Sequence, residues 1–172
     1  MLDRPALGGP DALVPASERH LPLADEAATA ACGARLGAAL AATDTTPFVI
    51  YVAGELGTGK TTFVRGALRE LGITGAIHSP TYTLVETYET PARRIAHLDL
   101  YRLTSSRELE PLAVREFLLP GHVMFIEWPE RGAGGLPAAD LSLQLDFASP
   151  GRTLAVRASS AGAEPVVQEW FR

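Results

Sequence analysis

The chain has 172 residues, a net charge of −5 and one cysteine, a length that suits one domain with one good core. The acidic balance argues against a general nucleic-acid-binding face and leaves only local contact through a few arginines, while the lone Cys32 cannot close an internal disulfide and fits a reducing cytoplasm. No apolar run reaches the roughly 18 residues of a membrane span, and the first residues lack the basic-then-apolar pattern of a signal peptide, so neither is expected.

Residues 1–19 carry Pro5, Pro10 and Pro15 among Gly and Ala. They predict a flexible tail ahead of a single domain over residues 20–172. A first helix is expected over 25–41, with Asp25 as its cap and Glu26 in its first turn. Ala28, Cys32, Leu36 and Leu40 form its apolar stripe. A turn over 43–47 then leads into Phe48-Val49-Ile50-Tyr51-Val52, an apolar, β-rich run of the kind found in buried parallel strands.

Gly54-Glu55-Leu56-Gly57-Thr58-Gly59-Lys60-Thr61 follows. It matches G-x-x-x-x-G-K-[ST], whose glycines let the backbone fold into a concavity of N–H groups around a phosphate. Lys60 is the only lysine in the chain; in such a loop it reaches the β- and γ-phosphates while the Thr61 hydroxyl meets Mg²⁺. Residues 62–71 have helical spacing at Val64, Ala67, Leu68 and Leu71, and Gly72 stands where the helix should stop. Strand, glycine loop and helix is the context the motif requires.

Farther on, the alternation of residues 84–88 predicts a strand entered through the loop Ser79-Pro80-Thr81-Tyr82-Thr83. That loop sits where nucleotide-sensing segments follow the phosphate helix, so Thr81 or Thr83 can meet a γ-phosphate or a metal. Residues 94–101 read as an antiparallel partner strand beyond a turn at Pro91. Short helices are expected over 108–112, capped by Ser105 or Ser106, and over 113–118. Residues 122–127 form a second buried strand, and residues 141–147 and 153–158 a hairpin joined at Ser149-Pro150-Gly151. Residues 166–171 fit a short strand or a helix equally well.

Two acids interrupt apolar runs: Asp99 within 95–100 and Glu127 at the end of 123–126. An unpaired charge in a buried strand costs several kcal/mol, and Mg²⁺ takes hard oxygen ligands of this kind beside the phosphate loop. Trp128 follows Glu127 closely enough to line the same site, though packing is its default role, as it is for Tyr51. His78, His97 and His122 read as structural and receive no function.

Residues 54–66, SPTYTLVE over 79–86, HLDLYRL over 97–103, ELE over 108–110 and IEWPER over 126–131 together resemble the bacterial TsaE (YjeE) family. The resemblance runs from about Leu21 to Arg157, and the combination of motifs is far more specific than the glycine loop alone. It implies a three-layer α/β P-loop NTPase fold with a mixed, mostly parallel central sheet and a C-terminal antiparallel hairpin. It implies an ATPase, weak alone, that binds ATP and Mg²⁺ and works with TsaB and TsaD. That complex forms N6-threonylcarbamoyladenosine beside the anticodon of tRNAs reading codons that begin with A, so tRNA is met only indirectly. On this likeness Thr61, Asp99 and Glu127 serve the metal, with Lys60, Asp99 and Glu127 as the catalytic set. Gly57, Thr58, Gly59, Lys60, Thr61 and Thr62 hold the phosphates, and Glu26, Trp128 and Arg152 approach the nucleotide.

A small-molecule kinase is the alternative, but no cluster of Arg suggests a mobile lid and a chain this short leaves little for an acceptor pocket. A GTP switch usually reads guanine with Asn-Lys-x-Asp, and this chain has neither Asn nor a second Lys. No arginine finger can be named within the chain; Arg65, Arg102 and Arg131 stand as candidates for internal contacts or a partner surface. A finger supplied from outside is worth about 10³–10⁵ in rate, which is why weak activity alone is expected.

Overall fold

The structure, a computed structural model, describes residues 18–44 and 46–172. Seven strands form one sheet in the order β1-β7-β6-β2-β5-β4-β3. They are β1 (Glu18–Leu23), β2 (Phe48–Gly54), β3 (Val85–Glu89), β4 (Arg94–Asp99), β5 (His122–Glu127), β6 (Leu141–Phe147) and β7 (Arg152–Ala158). β6, β2, β5 and β4 pair in parallel. β3 joins β4, β7 joins β6 and β1 joins β7 in antiparallel fashion. The mixed sheet and its C-terminal hairpin are therefore as expected; its parallel pairings lie at the centre and are matched in number by antiparallel ones toward the edges.

The central strands are apolar throughout because both of their faces are covered, as parallel strands require. Helices α1 (Glu26–Ala42), α2 (Lys60–Glu70) and α3 (Ala163–Trp170) pack on one face. Leu36, Leu40, Phe63, Leu68, Val166 and Trp170 meet Phe48, Ile50, Val123 and Phe125 there. Short 3₁₀ turns over Ser106–Leu112 and Val114–Phe117 help cover the other face, where Leu109 and Val114 close over Val49, Leu98, Met124 and Ile126. Asp25 caps α1 by accepting from the Ala28 N–H, and Ser105 with Glu108 completes a capping box.

Four details differ from the sequence reading. Residues 1–17, expected as a flexible tail, lie outside the described residues, but Glu18 and Arg19, assigned to the same tail, belong to β1. Among the described residues β1 is an edge strand paired with β7 alone, more than a hundred residues away in sequence, and Pro22 within it is tolerated only at an edge. The third strand starts at Val85 because Leu84 is left-handed, with φ 65°; its N–H donates to Pro80 O and its carbonyl accepts from Asp99. The strand containing Asp99 stops at that residue, as the Asp99 carboxylate accepts from the Tyr101 N–H and turns the chain. The undecided C-terminal segment is a helix, because Ala163, Val166, Val167 and Trp170 make one buried face at helical spacing. No helix among the described residues is long and apolar enough to cross a membrane.

Candidate functional site

The site forms where β2, β4 and β5 end together over the N-terminus of α2. Residues 54–59 make the glycine loop between β2 and α2, with φ of 138° at Gly54 and 100° at Gly59. Any side chain would be strained at either φ. A Cβ on Gly54 would also lie 2.2 Å from the Leu145 carbonyl oxygen, so only glycine lets the loop pass so close to β6. Thr58 is fully buried and donates to the Glu55 carbonyl at 2.9 Å, bracing the loop rather than lining the cleft.

Lys60 opens α2. Its ammonium donates to the carbonyls of Gly54 at 2.8 Å and Glu55 at 2.7 Å and lies 4.0 Å from the centre of the Trp128 ring. Burial pulls its pKa below the usual lysine value, against the opposing pull of Glu127, Asp99 and Glu130. Trp128 adopts a left-handed φ of 57° as the chain leaves β5, and Tyr101 packs against its indole with ring centres 5.0 Å apart.

The two strand acids converge beside this lysine. Asp99 and Glu127 occupy paired positions of β4 and β5 and are 4% and 1% exposed. Thr61 donates to Glu127 Oε2 at 2.9 Å, and Thr81 donates to Asp99 Oδ2 at 2.6 Å. Of the two threonines held open by the sequence, Thr81 therefore enters the site, whereas Thr83 donates to Glu86 on β3. On the far side, Thr62 lies 3.4 Å from Glu26, and Arg152 donates to Thr29 at 3.1 Å.

These groups enclose a cleft of about 420 Å³ lined by Glu26, Gly57, Gly59, Lys60, Thr61, Thr62, Asp99, Glu127, Trp128 and Arg152, with Leu56, Thr81 and Tyr101. Every expected site residue except Thr58 lines it. A larger cavity of about 780 Å³ is lined by Tyr51, Gly54, Glu55, Ser142, Gln144 and Arg157 among others and contains none of the acids or threonines of the cleft; the expected site residues gather in the smaller one. Tyr51 lines the larger cavity and bonds the Pro137 carbonyl, as a packing residue would.

Sequence reasoning missed His97. It is fully buried, and its Nε2 lies 2.8 Å from Glu127 Oε1. The signal was its position two residues before Asp99, which places both on one face of β4. Thr29 and Tyr101 were also missed, and only the packing of α1 and the turn after β4 bring them in.

The donor set suits Mg²⁺. Two carboxylates and a hydroxyl on paired elements are hard oxygen ligands, and among the described residues there is no larger cluster of acidic, His or Cys side chains. Mg²⁺ is held by one or two carboxylates plus phosphate oxygens rather than by an all-protein cage. Loop N–H groups, ammonium and acids together can seat a polyphosphate and its counter-ion.

Comparison with known proteins gives a consistent picture. A family model described as "Threonylcarbamoyl adenosine biosynthesis protein TsaE" matches residues 23–154. The chain is 42% identical over 106 residues to the tRNA threonylcarbamoyladenosine biosynthesis protein TsaE of Haemophilus influenzae, covering 62% of this chain and 67% of that one. It is 44% identical over 87 residues to the protein of the same name from Synechocystis, covering 48% and 55%, so the match spans little more than half of that relative. The crystal structure of Bacillus subtilis YdiB superposes with a TM-score of 0.74 at 25% identity, covering 91% of this chain and 96% of that one.

Proposed function

Because the chain belongs to the family of the threonylcarbamoyl adenosine biosynthesis protein TsaE, we propose that it is a Mg²⁺-dependent ATPase subunit. In this reading it binds and hydrolyses ATP to support TsaB and TsaD in forming N6-threonylcarbamoyladenosine on tRNA, and works in the cytoplasm. The observation that carries the proposal is one cleft in which Lys60, Thr61, Asp99 and Glu127 meet beneath a glycine loop.

The chain's own groups divide the work. Loop N–H groups and Lys60 hold the β- and γ-phosphates, and Lys60 must exchange its bonds to the Gly54 and Glu55 carbonyls for phosphate oxygens. Thr61 and Glu127 hold Mg²⁺, which when bound neutralises charge developing on the transferring phosphoryl group. Asp99, braced by Thr81 and the Tyr101 N–H, orients the attacking water. Trp128 keeps the ammonium desolvated, which strengthens its pull on phosphate. Glu26, Thr62 and Arg152 flank the end of the cleft away from the acids and contact the nucleoside side.

Phosphate release measured with and without TsaB and TsaD tests the reading. Slow ATP turnover by the isolated chain, raised by the pair, is expected. Fast turnover that the partners leave unchanged overturns the subunit role, and phosphate appearing on an added small-molecule hydroxyl instead of in solution favours the kinase alternative.

A further inference from the structure

We infer that His97 is a positioning residue for the metal site: its imidazole fixes the Glu127 carboxylate so that one oxygen is committed to the protein and the other is presented to Thr61 and the cation. The inference rests on the nucleotide reading above and goes beyond it.

The geometry is specific. Glu127 Oε1 lies 2.8 Å from His97 Nε2, and Oε2 accepts from Thr61 at 2.9 Å. The two oxygens are thus held by different elements, β4 and α2, and the carboxylate plane is set between them. For Nε2 to donate, the ring carries its proton there. Nδ1 is buried and has no hydrogen-bond partner among the described residues, so the only polar contact of the ring there is the one to Glu127.

Packing alone does not call for a histidine here. Ile95 lies on the same strand face, and His97 pairs with Phe125 on β5 and with Glu86 on β3; Ile95 and Phe125 belong to the apolar core that packs against α2. An apolar side chain would suit those neighbours and would remove the cost of an unsatisfied Nδ1. What it would not provide is a donor to Glu127. Partners that orient a metal's carboxylate ligand typically affect metal affinity by about 10–100-fold.

The test is a Mn²⁺ titration of the full-length chain saturated with ADP, read by electron paramagnetic resonance, alongside calorimetric ADP binding in EDTA. His97→Leu should weaken Mn²⁺ by about 10–100-fold and leave ADP binding in EDTA unchanged. His97→Gln, whose amide nitrogen reaches the position of Nε2, should restore most of the metal affinity. His97→Asn, which is too short to reach, should not. Native Mn²⁺ affinity in His97→Leu, or equal affinity in the Gln and Asn variants, overturns the inference; the Gln–Asn comparison also decides the matter if the Leu variant does not fold. If the native chain binds ADP but takes up no Mn²⁺, the metal reading of the whole site fails, and the role of His97 with it.

Discussion

Asp99 and Glu127 sit directly opposite one another in the parallel register of β4 and β5, both nearly inaccessible to solvent. Two acid side chains at paired positions repel, and Lys60 is a cation close enough to feel both. On the proposed reading, this repulsion is the cost of a pair of carboxylates that would hold a divalent cation.

Asp99→Asn should therefore stabilise the metal-free protein while impairing its activity. Relief of like-charge repulsion on the order of 1 kcal/mol corresponds to a rise of about 2–4 °C in the thermal midpoint for a chain of this size. Mg²⁺-dependent phosphate release should fall in the same variant. A lower midpoint in EDTA, read by scanning calorimetry, would mean that the hydrogen bonds from Thr81 and Tyr101 matter more than the repulsion.

Lys60→Ala and Glu127→Ala should separate binding from chemistry. Removing the ammonium deletes charge-assisted bonds of about 1.5–3 kcal/mol each, so ATP affinity should drop by at least about tenfold even in EDTA. Removing the Glu127 carboxylate should leave binding in EDTA near native but cost Mg²⁺-dependent hydrolysis several kcal/mol of transition-state stabilisation. Normal hydrolysis by Glu127→Ala at low Mg²⁺ would remove that residue from the metal site.

Gly33→Ala should destabilise, although a glycine-to-alanine change inside a helix ordinarily helps by about 0.5–1 kcal/mol. Gly33 and Gly66 lie where α1 and α2 press backbone against backbone. A Cβ on Gly33 would meet the Phe63 carbonyl oxygen at 2.0 Å, and one on Gly66 the Ala30 carbonyl oxygen at 2.1 Å. Overpacking of this kind costs about 1–3 kcal/mol. Because Phe63 lies in the second turn of α2, the nucleotide loop should shift as well. Urea unfolding that shows Gly33→Ala as stable as the native chain would contradict the close crossing.

Cys32 should be inert in the native state. Burial pushes its thiol from the usual 9.0 up to about 11, with Arg35 opposing the rise. The fold favours the neutral thiol, so its contribution to stability is complete below pH 9 and is lost as pH rises through about 11. Alkylation at pH 8 should be slow in buffer and fast in denaturant; rapid native alkylation would mean that α1 opens readily.

The sequence alone determined the parts of this protein that depend on near neighbours. The glycine loop needs contiguous residues whose φ and donors lie within one turn of chain, so residues 54–61 were legible with their strand and helix on either side. The strand acids were legible because an acid at Asp99 or Glu127 breaks an otherwise apolar run. Tertiary structure alone decided what depends on pairing between distant segments. It placed Asp99 opposite Glu127 and chose Thr81 over Thr83. It turned His97 from a filler of the core into a donor to Glu127, and it made a strand of Glu18–Leu23 by supplying β7 as its partner. Strand order and register are set by contacts far apart along the chain, and periodicity along one strand carries no record of which strand lies beside it.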